Sequence, residues 1–216
     1  MHRRWAGNGG SGGKVKLIKR FAKYALGTIV RPRATFRELA LERPVGQGWS
    51  AVLLLAVLYS AVCAINAANG ITPTNQPFLP ISEENYYFWE TFFSPPLFVG
   101  LWYLFAWLNL LIGRTLGGQG NFRGVLVPLA FALHIPMIPI MWTTDFVSSI
   151  FAIDLQTQGA FGQIWGIFYW AFTILWIMVT CIIATQEAHR ISASRAMATA
   201  LISAIPVAVI AAVTIR

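Results

Sequence analysis

The sequence predicts an all-α fold, a polytopic bundle of five transmembrane helices preceded by interfacial amphipathic helices. Three observations carry this. First, only 11% of the 216 residues are charged and 56% are hydrophobic, against roughly 25% charged in a soluble domain, so lipid rather than water must cover most of the surface. Second, five stretches, about 49–68, 92–112, 124–142, 164–184 and 196–215, hold no Asp, Glu, Lys or Arg. Each is near the ~20 residues that cross about 30 Å of hydrocarbon at 1.5 Å per residue. None alternates with period two, which argues against a β-barrel.

The third observation is where the +8 net charge lies. Eleven of the sixteen Lys and Arg precede residue 44; Arg114 and Arg123 follow in the second loop, Arg190 and Arg195 in the fourth, and 69–91 and 143–163 have none. By the positive-inside rule the N-terminus and the second and fourth loops are cytoplasmic. The loops with Glu83, Glu84, Glu90, Asp145 and Asp154, and the C-terminus with Arg216, face outward. The chain therefore reads as an integral multi-pass membrane protein, of the cell (inner) membrane if the source is prokaryotic. The excess charge is a topology signal placed in a tail, with no recognition motif for nucleic acid beside it. No cleavable secretory signal is expected, because further basic residues follow the first ones where an apolar core should stand.

The chain divides into a Gly-rich flexible tail (1–13), a basic cytoplasmic segment (14–44) and the five-helix domain (45–216). Within 14–26, Val15, Ile18, Phe21, Ala22 and Ala25 recur at helical spacing, with Lys14, Lys16, Lys19, Arg20 and Lys23 largely apart from them. That pattern describes a helix lying on an anionic leaflet, with the basic residues in contact with lipid. Pro32 starts a second short helix over 33–42, whose Phe36, Leu39 and Ala40 are expected to face lipid, and Pro44 ends it.

The second loop, 113–124, reads GRTLGGQGNFRG, with five glycines in twelve residues. Such backbone freedom fits either a tight turn or a small anion or headgroup site built from Arg114, Gly117, Gly118, Gly120, Phe122 and Arg123. It matches neither dinucleotide nor P-loop spacing, and no strand precedes it.

Inside the spans, Asn109 and His134 are polar, and Pro136 and Pro139 kink the third span. Each proline frees a carbonyl four residues back, at Ala132 and Ile135, within reach of the His134 imidazole. An intramembrane His serves either to satisfy such carbonyls or to handle protons or ions. Small residues at spacing four, Ala200, Ala204 and Ala208 in the last span and Gly162 and Gly166 in the fourth, form seams for helix packing within the chain or in a homo-oligomer. Cys63 and Cys181 lie too far apart in depth to pair. His2, His134 and His189 stand on separate segments without metal-ligand spacing, and no nucleophile, base and acid share a depth. No catalytic, metal or cofactor site is therefore expected.

Pro32, Ala34, Thr35 and Phe36 before the first span, the run Leu116-Gly117-Gly118-Gln119-Gly120-Asn121-Phe122, and then Ala130, Ala132 and Pro136 together resemble the Yip family over about residues 28–215. The resemblance implies a five-span protein with a cytoplasmic N-terminus, in eukaryotes linked to vesicle formation, GTPase recruitment and membrane shaping. The Asp-Leu-Tyr-Gly-Pro element of eukaryotic members is missing, and the compact form is more similar to bacterial and archaeal ones. The expected function is non-enzymatic: organising membrane, or recruiting membrane proteins, cytoplasmic proteins or anionic lipids through the basic face. The alternative is a small channel or transporter built around His134 and the third span.

Overall fold

The structure, a computed structural model, describes residues 10–73, 78–152 and 159–215, with side chains from residue 13 on. His2, Arg3, Arg4, Asp154 and Arg216 lie outside the described residues. The described helices are α1 (Gly10–Val30), α2 (Pro32–Glu42), α3 (Val45–Ala68), α4 (Glu83–Thr115), α5 (Phe122–His134), α6 (Thr143–Phe151), α7 (Gly159–His189) and α8 (Ala193–Thr214). A 3-10 turn over Ile135–Met137 and a π turn over Ile138–Trp142 join α5 to α6 into one span. Five helical segments are thus long and apolar enough to cross a membrane, in the order the sequence predicts. The all-α polytopic bundle stands. The last glycines of the tail expected to be flexible, Gly10 to Gly13, already belong to α1.

Two acidic residues correct the outward-loop assignment. α4 begins at Glu83, well before the uncharged stretch, because Tyr86, Glu90 and Ser94 recur every fourth residue and bury one continuous face. Glu90 therefore sits inside the bundle, accepting a hydrogen bond from the Tyr59 hydroxyl at 3.0 Å. Asp145 lies on α6 and accepts from Tyr169 of α7 at 2.9 Å. Charge marks loops only while helices stop where the uncharged stretch does, and these helices run past it.

The third span is the centre of the bundle: 67% of its most apolar window is buried, against 28% and 22% for α7 and α8. Around it pack Val52 of α3, Trp102 and Phe105 of α4, and Phe36 and Leu39 of α2. Trp102 anchors the contact by donating its indole N–H to the Leu126 carbonyl at 2.8 Å. The prolines distort this span and neighbours repair it. The Ala132 carbonyl, deprived of its partner by Pro136, accepts from Thr180 of α7 at 2.9 Å, and the Ile135 carbonyl accepts from the Ile138 N–H. His134 was expected to serve one of those two carbonyls. Its Nδ1 instead pairs with the Ala130 carbonyl at 2.8 Å, one regular helical turn back, and its ring packs beside Phe98.

The N-terminal hairpin carries the largest correction. Phe36 and Leu39 were expected against lipid, yet both are fully buried in the protein core. The apolar stripe of α2 faces α5 and α7 because the approach there is unusually close: a Cβ on Gly124 would lie 3.2 Å from the Ala40 carbonyl oxygen. α1 doubles back along α2 and sets Phe21 and Tyr24 against the Phe131 ring, centroids 5.8 and 5.9 Å apart. Phe131 lies about 14 Å of helix rise beyond the start of α5 at Phe122.

Two helices end on arginines in the left-handed region, Arg43 (φ 51°) after α2 and Arg190 (φ 57°) after α7. Cys63 and Cys181 are buried and free. Along the small-residue seams Ala200 and Gly162 are buried, Ala204 and Gly166 half-buried, and Ala208 exposed. Gly166 borders an apolar surface groove of about 700 Å³ with Ile167, Trp170 and Ile174.

Candidate functional site at the basic end

The Arg-bearing ends of α4, α5, α7 and α8 lie together with α1 and α2, and there the polar contacts concentrate. The last turns of α7 read Thr185-Gln186-Glu187-Ala188-His189, and the side chains of Thr185, Gln186 and Glu187 tie α7 to α4 and α2. Thr185, buried, accepts from Asn109 Nδ2 of α4 at 3.0 Å. Gln186 accepts from Arg33 of α2 at 3.2 Å. Glu187, whose side chain is only 9% exposed, accepts from Arg37 at 2.9 Å and pairs with Arg33 at 3.5 Å. α2 is thereby held across the end of α7.

His189 is the centre of the remaining contacts, and sequence reasoning passed over it. Its imidazole is fully buried beneath the glycine-rich loop, Leu116 to Asn121. A Cβ added at Gly113, Gly118 or Gly120 would meet the ring at 2.5, 2.5 or 2.7 Å, so only glycine admits the imidazole at these three points. The His189 carbonyl accepts the Gln119 N–H at 3.0 Å, and the Gly113 carbonyl accepts the Gly118 N–H at 2.8 Å. Asn121 then caps α5, its Oδ1 accepting from Gly124 N at 3.0 Å. The loop is a tight turn, and Gly113, Gly118 and Gly120 are fitted to one buried ring. The signal in the sequence was a polar run closing an otherwise apolar span, opposite a loop whose glycines had no stated partner.

Among the described residues neither ring nitrogen of His189 makes a hydrogen bond of good geometry, nor does Asn109 Oδ1; the Asn109 carbonyl lies beside the ring. Each unsatisfied buried polar group costs about 1–3 kcal/mol. Around the loop stand Arg114, Arg123, Arg190 and Arg195, all exposed. Arg114 reaches the Gly120 carbonyl at 3.4 Å and Arg195 the Leu116 carbonyl at 3.3 Å. Thr115, Leu116, Gly117 and Arg195 line a surface cavity of about 350 Å³. Phe122 is half-buried beside Tyr103.

On α1 the five basic candidates separate into two groups. Arg20 pairs with Glu42 and Lys23 with Glu38, both across to α2. Tyr24 completes the clasp by donating to Glu42 at 2.9 Å and accepting from Arg20 at 3.2 Å. The Tyr24 hydrogen bond, aided by the Arg20 charge, holds the Glu42 carboxyl below its ordinary range despite some desolvation. Burial pushes the Tyr24 phenol up. Lys14, Lys16 and Lys19 are exposed and hold no ion pair among the described residues. Beside them Val15, Ile18, Leu26 and Ile29 form an exposed apolar stripe. α1 so has three sides: one against the bundle, one apolar and open, one basic.

The family model of the Yip1 domain matches residues 26–215. No curated protein and no solved structure matches the chain.

Proposed function

Because the chain belongs to the Yip1 family, an assignment that makes it a multi-pass membrane protein, we propose that it works without catalysis, organising its membrane and recruiting lipid and protein partners through its basic end, which faces the cytoplasm. The observation that carries this reading is the three-sided α1. A helix clamped to the bundle on one side, apolar on a second and lysine-rich on a third fits the headgroup boundary of an anionic leaflet. Each Lys near such a leaflet adds up to about 1 kcal/mol. Residues 10–25 of α1 precede the matched family region, so this contact rests on the structure and not on the family match.

The test is reversal of Lys14, Lys16 and Lys19 to Glu, which spares the clasp residues Arg20 and Lys23. The full-length protein is extracted with its native lipid annulus and the bound lipid is measured by mass spectrometry. We expect a several-fold loss of anionic lipid with zwitterionic lipid unchanged. An unaltered lipid profile together with unaltered co-purifying proteins would remove the basis of the proposal. The channel or transporter reading has less support, because His134 is engaged at Nδ1 and is closed in by Phe98.

A further inference from the structure

We propose that the buried polar cluster under the glycine loop, between α4 and α7, becomes on lifting of that loop a binding site for a hydroxylated phosphate ester, the chemistry of an anionic glycerol-type headgroup. This goes beyond the lipid contact assigned to α1 and does not depend on it. Among the described residues three buried polar atoms of two adjoining side chains lack a hydrogen bond of good geometry: Asn109 Oδ1, His189 Nδ1 and His189 Nε2, and neither side chain has exposed surface. They are neighbours, since Asn109 bonds Thr185 one helical turn before His189 and its carbonyl lies beside the imidazole. A neutral imidazole offers one donor and one acceptor, and the amide oxygen offers an acceptor. Their complement is a group that brings an acceptor oxygen together with hydroxyl donors.

The surroundings select an anion. The segments 113–124 and 188–196 hold Arg114, Arg123, Arg190 and Arg195 and no Asp or Glu. Arg114 and Arg195 bond loop carbonyls only at 3.4 and 3.3 Å, and the rest of each guanidinium remains available. The cover is backbone, with glycine at 117, 118 and 120, held to the bundle by the Gln119 N–H on the His189 carbonyl and the Gly118 N–H on the Gly113 carbonyl. The cavity at Thr115, Leu116, Gly117 and Arg195 adjoins the outer side of that cover. We assign the loop as a lid, with His189 and Asn109 behind it and arginines at its rim.

Thermal unfolding of the detergent-purified full chain tests this with three probes: dioctanoyl phosphatidylglycerol, glycerol phosphate and dioctanoyl phosphatidylcholine. The glycerol-type phosphates are expected to raise the midpoint by several degrees and phosphatidylcholine is not. His189→Leu should abolish the rise. Arg195→Gln, an exposed change that leaves folding intact, should raise the ligand concentration required about tenfold, as expected for losing one charge-assisted hydrogen bond. The Lys14, Lys16, Lys19 reversal should keep the rise in full, so the two proposals fail separately. A rise with phosphatidylglycerol alone assigns the site to lipid, and a rise with glycerol phosphate as well admits a soluble ester. No rise with either phosphate, a rise that survives both His189→Leu and Arg195→Gln, or an equal rise with phosphatidylcholine would overturn the inference.

Discussion

The two ends of the bundle solve the same problem, polar groups beside an apolar interior, in opposite ways. At the basic end contacts are many and shared: α2 is tied to α7 through Arg33, Arg37 and Glu187, α1 to α2 through Tyr24 and its ion pairs, and a loop is closed over His189. At the acidic end phenol–carboxylate bonds join helix pairs, Tyr59 to Glu90 and Tyr169 to Asp145, while α7 and α8 expose long apolar faces. A shared network fixes an external surface. Buried bonds between helix pairs fix helix positions and leave the outer surface to lipid.

Enlarging the glycine cradle should give the largest effect in breaking this contrast. A Cβ at Gly113 meets three atoms of the His189 ring within 2.8 Å, so Gly113→Val should destabilise by about 3 kcal/mol, the upper part of the usual overpacking range. Denaturant unfolding in mixed micelles would measure it, and a change under 1 kcal/mol would show that the ring can move aside. Tyr59→Phe at the other end should come next, at about 1–3 kcal/mol, because it withdraws one hydrogen bond from the buried Glu90 carboxyl. A double-mutant cycle with Glu90→Gln would recover most of that loss if the bond is the cause, and none if Tyr59 acts by packing alone.

The smallest effect belongs to the clasp. Since Glu42 has a lowered folded-state value relative to 4.5, its contribution is complete above that ordinary value and lost as pH falls through the lowered one. Solvent exposure keeps the energy at a few tenths of a kcal/mol. Spin labels on α1 and α2 should therefore hold their separation from neutral pH down to pH 4.5 and spread only in stronger acid. Spreading that began above pH 5 would assign the clasp to another group.

The five spans were legible because length and the lack of charge are properties of a segment by itself. The partner of a segment is not. Phe36 and Leu39 recur at a spacing that suits lipid and protein equally, and only the close approach permitted at Gly124 decides for protein. Glu90 was misplaced for a related reason: a carboxylate reads as a loop marker until a tyrosine on another helix supplies its partner. The glycine loop was recognised as distinctive, yet its purpose depended on His189, some 70 residues later in the chain and silent by any motif.

The arginine that ends α2 has a mechanical consequence. Glycine at such a corner would let the chain swivel through several conformations at little cost. Arg43 in the left-handed region, followed by Pro44 with its ring-restrained φ of −75°, confines the corner to a narrow well. The N-terminal hairpin is thus mounted on the first span as on a rigid bracket, so a tilt of that span turns the hairpin with it, and a push on the hairpin from the bilayer is felt in the spans.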